Sequence, residues 1–96
     1  VLSELAYEVG ERYFAIQRTE EGYDYSFYDE DFRLMDGGVY ENDEIFIEEA
    51  AEELLEDEGW TGECIRGDYD QLMEKVEEMD EIVMAAIQKS QANINH

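Results

Sequence analysis

Carboxylates are the side chains in this sequence whose number and spacing could do chemistry. Twenty-eight Asp and Glu residues stand against six Lys and Arg, which gives the 96-residue chain a formal net charge of −22. The single histidine is His96 and the single cysteine is Cys64. A Ser-His-Asp triad, a Cys-His pair or a Cys/His zinc site therefore has almost no residues to draw on. Beside Ile65, Cys64 is expected to be a core thiol.

Carboxylates alone could still supply a metal site or a glycosidase-like pair. Calcium requires six to eight oxygens from a loop of fixed spacing, and neither 29–31 nor 67–70 continues into that pattern. A pair of catalytic carboxylates needs a substrate cleft, which a domain this small rarely encloses. We therefore expect no catalytic residues, no metal site, no cofactor and no enzyme activity.

The carboxylates are concentrated between Glu41 and Glu58, where no basic residue occurs. On a helix six of them form two ridges that repeat a charge every ~6 Å of axis. One ridge is Glu48, Glu52 and Glu56, and the other is Glu49, Glu53 and Asp57. Solubility of a small domain needs a net charge of only roughly 2 to 8 in magnitude, so a merely solvated surface accounts poorly for this imbalance. A compact domain of this size is ~32 Å across. Duplex DNA of that length carries ~19 phosphate charges, so its charge density is similar to that of this chain.

We therefore predict a partner-binding surface on this helix that mimics DNA. Its partner would be a basic nucleic-acid-binding protein, such as a defence nuclease, because a groove lined by Lys and Arg attracts such a surface strongly. The same charge excludes direct binding to nucleic acid or to an anionic membrane. The predicted contact residues are Glu48, Glu49, Glu52, Glu53, Glu56 and Asp57.

Apolar patterning predicts the elements that must position these carboxylates. Leu2, Leu5, Ala6 and Val9 recur at helical spacing and predict a short helix over 1–10. Residues 11–40 are rich in aromatic and β-branched residues and predict a three-stranded β-meander, with a turn at Gly37 and Gly38. In its second strand the aromatic residues alternate with polar ones and should face the core; these are Tyr23, Tyr25 and Phe27.

The second half of the chain predicts two main helices. An apolar stripe predicts the acidic helix over 43–58, capped by Asn42 or Asp43 and closed by Gly59. A further strand is expected over 60–66 and a last helix, capped by Asp68, over 68–89, followed by a polar tail over 90–96. The chain is thus predicted to be a single acidic α+β domain over 1–96. It contains a small antiparallel β-sheet of three to four strands packed on one face by two main helices, with a short N-terminal helix.

The last helix offers a second candidate surface. Its apolar residues are spaced four, three, four, three, as in a coiled coil, but over only about two heptads, so packing on the sheet is the preferred interpretation. The segment 82–87 is apolar all round, which exceeds what one buried stripe requires. We therefore predict an oligomer contact that would make a homodimer, formed by Ile82, Val83, Met84 and Ile87.

Location follows from the same composition. One cysteine cannot form an internal disulfide, and no apolar run approaches the ~20 residues of a membrane span. No signal peptide is recognisable. We expect a cytoplasmic protein that does not enter the membrane.

Strands and turns in this sequence resemble a known type of domain. The segments 13–17, 22–29 and 35–39, followed by the acidic helix, are similar to small acidic domains in mobile-element proteins of gut Firmicutes, including accessory domains of large polyvalent proteins. The resemblance covers roughly residues 11 to 77, contains no catalytic motif and implies no site residues. In size and charge only, the chain is also similar to the anti-restriction and anti-CRISPR inhibitors of phages and mobile elements, several of which imitate DNA. The alternative to a DNA mimic is therefore a non-catalytic interaction or dimerisation domain of a larger mobile-element protein.

Overall fold

A computed structural model describes residues 3–41 and 44–94 of the chain. The described residues form one antiparallel sheet of five strands, in the order β4-β3-β2-β1-β5, and two helices. This confirms the predicted α+β class. In chain order the elements are β1 (Glu4–Val9), β2 (Arg12–Thr19), β3 (Gly22–Tyr28), β4 (Leu34–Tyr40), α1 (Ile47–Asp57), β5 (Cys64–Gly67) and α2 (Tyr69–Ile94).

The predicted N-terminal helix is wrong, because this segment is strand β1. It pairs antiparallel with β2, with Leu5 opposite Ile16. Leu5, Ala6 and Val9 are all buried, since both faces of the strand are covered. Glu4 and Glu8 alternate with Leu5, Tyr7 and Val9 as in a strand, but Ala6, buried on the opposite face, interrupts the alternation and places an apolar pair where a helix would have one. Gly10, at φ 65°, lies in the turn from β1 to β2 and ends no helix.

The two helices pack on opposite faces of the sheet, which corrects the prediction that they share one face. Helix α1 covers a cluster that includes the buried aromatic side chains Phe14, Tyr23 and Phe27. Leu72 of α2 packs on the other face in a cluster with Ala6, Ala15 and Tyr28. The alternation predicted for Tyr23, Tyr25 and Phe27 is confirmed, with Tyr25 partly buried against the α1 cluster. The opposite face carries the small side chains of Ala6 and Ala15, on which Leu72 of α2 packs.

The predicted turn at Gly37 and Gly38 is also wrong, because β4 runs through both glycines. A Cβ atom on Gly38 would lie 3.0 Å from the hydroxyl oxygen of Tyr25. One on Gly37 would lie 3.0 Å from the Tyr25 carbonyl oxygen. The glycines therefore mark a close approach between neighbouring strands, a known use of glycine within a strand.

Helix α1 begins later than predicted, at Ile47, with Phe46 as its N-cap residue. The hydroxyl of Tyr23 donates a hydrogen bond of 2.6 Å to the carbonyl of Ile45, which holds the preceding segment against β3. The predicted caps Asn42 and Asp43 lie outside the described residues. The predicted stop at Gly59 is confirmed. Gly59 has φ 77°, and the amide of Trp60 donates a hydrogen bond of 2.9 Å to the carbonyl of Leu55, which is a Schellman-type ending.

Helix α2 begins where the sequence predicts and ends later. The carboxylate of Asp68 accepts a hydrogen bond of 3.2 Å from the amide of Gln71, which confirms the predicted cap. The helix continues through Ile94, so the prediction of a tail from residue 90 is wrong over 90–94; residues 95–96 lie outside the described part. No glycine or proline interrupts 88–94, and propensity alone allows the helix to continue. The strand predicted over 60–66 is β5, Cys64–Gly67, which pairs with β1.

Candidate partner-binding surfaces

Helix α1 presents its carboxylates outwards because its apolar stripe faces the sheet. The buried residues of the helix are Ile47, Ala50, Ala51, Leu54 and Leu55. Their spacing fills one side of the helix and leaves every position between them on the other. All six predicted contact residues are accordingly exposed, namely Glu48, Glu49, Glu52, Glu53, Glu56 and Asp57. The structure thus brings them onto one helix, and their binding role stays a prediction.

The two ridges of carboxylates have different surroundings. Glu48, Glu52 and Glu56 form one wall of a groove beside β5. On the other ridge, Glu53 accepts a hydrogen bond from the hydroxyl of Tyr40 on β4. One ridge is therefore part of a concave surface, whereas the other is joined to the far edge of the sheet.

The groove between α1 and β5, which we call the α1–β5 groove, has a volume of about 480 Å³. Tyr7, Leu55, Trp60 and Cys64 line it together with the three carboxylates. The Schellman ending explains the neighbouring positions of Leu55 and Trp60, since this motif usually brings the C3 and C″ side chains into contact. The groove therefore combines aromatic and aliphatic surface with an acidic wall.

Electrostatics within the groove act on Tyr7. Burial raises the pKa of the Tyr7 hydroxyl above its usual 10.0, and the carboxylates of Glu48 and Glu52 raise it further, whereas Arg66 lowers it. Arg66 is the register partner of Tyr7 on β5. Near neutral pH Tyr7 is therefore an uncharged phenol that can donate a hydrogen bond into an acidic environment.

Trp60 separates the α1–β5 groove from a second concave region. Its ring packs edge-on against Phe27, at 4.9 Å between centroids, and the Arg12 guanidinium lies 5.6 Å from its centroid. Trp60 also lines the second region, of about 510 Å³, together with Arg12 and Glu30. There a hydrogen bond with Glu11 raises the pKa of the Glu30 carboxyl above 4.5, and nearby carboxylates raise it further. The sequence predicts neither concave region, because the residues that line each of them come from distant segments of the chain.

Cys64 is exposed, so its assignment as a core thiol is wrong. The physical reason is its position on the edge strand β5, where all four residues are exposed.

Among residues 3–41 and 44–94, no three His, Cys, Asp or Glu side chains are grouped so that they could hold a metal ion. No helix in this part of the chain is long and apolar enough to cross a membrane.

The second candidate surface lies on the far half of α2. Leu72 is buried and Met73 and Val76 are partly buried against the sheet. From residue 80 to residue 89 the helix is mostly exposed, so the preferred interpretation that it packs on the sheet holds only for its first half. The structure is accordingly 56 Å long, with a radius of gyration of 15.7 Å, against ~12 Å for a compact chain of this length.

This far half, residues 80–94, which we call the α2 arm, contains all four predicted oligomer contacts. Val83 is partly buried. Three large apolar side chains are exposed: Ile82 (62%), Met84 (55%) and Ile87 (47%). They lie on different sides of the helix, so the arm is apolar around its circumference, and exposed apolar surface of this kind is typical of a segment that a partner covers.

Comparison with known families assigns the chain to one of them. The family described as large polyvalent protein-associated domain 16 matches residues 2–79. Searches among curated proteins and among solved structures find no match. The matched range contains every strand, α1 and the part of α2 that packs on the sheet. Because the match covers most of the chain, this protein belongs to the large polyvalent protein-associated domain 16 family.

Proposed function

We propose that this chain is a non-catalytic binding module, an accessory domain of a larger protein, whose helix α1 occupies the basic groove of a nucleic-acid-binding protein. Family membership supports the accessory role. The observation that carries the binding role is the outward presentation of six carboxylates on one eleven-residue helix. From Glu48 to Asp57 they span about 14 Å of helix axis.

The charge density of α1 is suited to a site that binds phosphates. Six charges over that length give one per ~2.3 Å, which lies between a single DNA strand, at ~3.4 Å, and the duplex, at ~1.7 Å. Lys and Arg side chains in the partner's groove would pair with carboxylates in place of phosphates. Binding would then compete with nucleic acid, associate rapidly and weaken as salt screens the charges. A defence nuclease is the kind of partner we propose.

Competition with duplex DNA tests this function. A labelled duplex is bound to each member of a panel of purified restriction and CRISPR nucleases, and the domain is added at increasing salt. We expect the wild-type domain to displace DNA from at least one nuclease at low salt and to do so less well at high salt. The test variant carries lysine in place of Glu49, Glu52, Glu53 and Glu56.

A charge-matched control separates the α1 surface from net charge. It carries lysine in place of four exposed acids of α2, namely Glu74, Glu77, Glu78 and Glu81. Both variants change the net charge by the same amount. Displacement lost only in the α1 variant would support the proposal, whereas equal displacement by the α1 variant and the wild type would remove it.

A second function is favoured by the exposed apolar residues of the α2 arm. In this alternative the arm docks on a second copy of the chain or on another part of the larger protein, and the association tolerates salt because it buries apolar surface. Size-exclusion chromatography with light scattering tests self-association. A dimer at high micromolar concentration that Ile87→Asp converts to monomer would support it. A wild-type monomer, unchanged by Ile87→Asp, would contradict docking on a second copy.

A further inference from the structure

We propose that the α1–β5 groove recognises a basic segment of a partner protein in which an arginine or lysine stands next to an apolar side chain. The inference rests on the proposed function insofar as both require a basic partner. It goes further by assigning the contact to one concave site and to one of the two ridges of α1.

The walls of the groove determine the chemistry of its occupant. Tyr7, Leu55 and Trp60 supply apolar and aromatic surface. The volume of about 480 Å³ falls within the range of ~300–1,000 Å³ typical of small-molecule sites. An apolar side chain of the partner would remove its own surface and that of the groove from water, which is favourable.

Charge complementarity makes the occupant cationic. The wall from α1 carries Glu48, Glu52 and Glu56, and the charged group facing Tyr7 from β5 is Arg66, so carboxylates outnumber the cation. An arginine or lysine of the partner could therefore meet carboxylates while its neighbour occupies the apolar surface.

The same charges argue against other occupants. A second copy of the chain brings a further net charge of −22, and nucleic acid brings phosphates, so both are repelled. A neutral apolar segment would leave three carboxylates without partners beside its own surface. A basic segment with an adjacent apolar residue satisfies both parts of the groove.

The second ridge of α1 provides an internal control. Glu49, Glu53 and Asp57 do not line the groove, and Glu53 is already hydrogen-bonded to Tyr40. Removing two charges from either ridge changes the net charge of the domain equally. Binding in the groove should weaken only when charges are removed from the ridge that lines it. A diffuse electrostatic attraction should weaken after either removal.

Peptide titration tests the proposal, with Trp60 as the reporter because it is the single tryptophan of the chain. The probe is an amidated pentapeptide of alternating arginine and leucine, and its control replaces leucine with serine at the same charge. The variants are Glu48→Gln with Glu52→Gln, and Glu49→Gln with Asp57→Asn. All four positions are exposed, and circular dichroism melting verifies that both variants fold.

We expect the leucine probe to change the Trp60 emission and to bind more tightly than the serine probe. Loss of two close charge pairs at the groove should weaken binding about tenfold, and the variant at positions 49 and 57 should bind nearly as the wild type does. Equal weakening by both variants, or equal affinity for the two peptides, would overturn the groove site. Either result leaves the competition with DNA as a separate outcome, so the two proposals can fail independently.

Discussion

Helix α1 should become more stable when its acidic surface is interrupted by a lysine. In the wild type, Glu52 lies one turn from Glu48 on one side and from Glu56 on the other, and all three are exposed. Like charges at i, i+4 destabilise a helix, and opposite charges at that spacing stabilise it. Glu52→Lys converts both repulsive pairs into attractive ones without touching the buried stripe. The variant should therefore fold more stably while it binds a basic partner less well.

The size of this effect follows from the two pairs. Each pair changes from destabilising by about 0.2–0.5 kcal/mol to stabilising by a similar amount, which is a change of about 0.4–1 kcal/mol per pair. The new lysine would follow Glu48, the better orientation, but precede Glu56, the weaker one. A total near 1 kcal/mol is therefore expected, which corresponds to an increase in melting temperature of about 4–8 °C for a domain of this length.

Thermal unfolding followed by circular dichroism, at low salt and at 1 M NaCl, measures this difference. Glu52→Gln should give about half of the increase, because it removes the repulsion without adding attraction. At 1 M salt the Debye length falls to about 3 Å, so the wild type should gain stability and the difference between the proteins should shrink. A Glu52→Lys protein that melts below the wild type at low salt would refute the idea that repulsion between carboxylates weakens α1.

Two further predictions concern tyrosines that the fold places in specific environments. Tyr23→Phe removes the hydrogen bond to the carbonyl of Ile45 from a side chain that is 1% exposed, and should lower the unfolding free energy by about 1–1.5 kcal/mol; unchanged denaturant unfolding would contradict this. Burial raises the pKa of Tyr7 and of Tyr69 above 10.0, so their stabilising contribution is complete below pH 10 and is lost as the pH rises through the folded-state values. Tyrosinate absorbance should therefore titrate at higher pH in the native protein than in urea, and identical titrations would contradict the burial of these hydroxyls.

The features that the sequence predicts well are those with a local physical cause. The stripe of α1 from Ile47 to Leu55 has a helical period, and a helix with one apolar side must turn its carboxylates outwards. The helix stop at Gly59 and the cap at Asp68 are set by the backbone requirements of the residues themselves. The alternation from Tyr23 to Phe27 has the period of a strand with one face on the core.

The features that the sequence did not predict depend on contacts between distant segments. Strand β1 carries apolar residues on both faces, because α2 covers Ala6 on one face while α1 helps to cover Leu5 and Val9 on the other. The sequence therefore predicts a helix there. Its burial pattern then no longer alternates, and short apolar runs are ambiguous between helix and strand. The α1–β5 groove was missed for a related reason. Its lining combines β1, α1, the turn at Trp60 and β5, and no local pattern records that association.

The charged side chains and the core side chains of this domain occupy different places in the fold. In the described part of the chain no charged side chain is buried, and the core is built from aliphatic and aromatic residues. Lysines could therefore be interleaved along α1 without any cost to the core, and they would strengthen the helix by relieving the repulsion between carboxylates. Folding thus gives no reason for ten acids and no base between Glu41 and Glu58. A requirement to bind a basic partner gives one, because each lysine added to this helix would weaken that binding while it stabilised the fold.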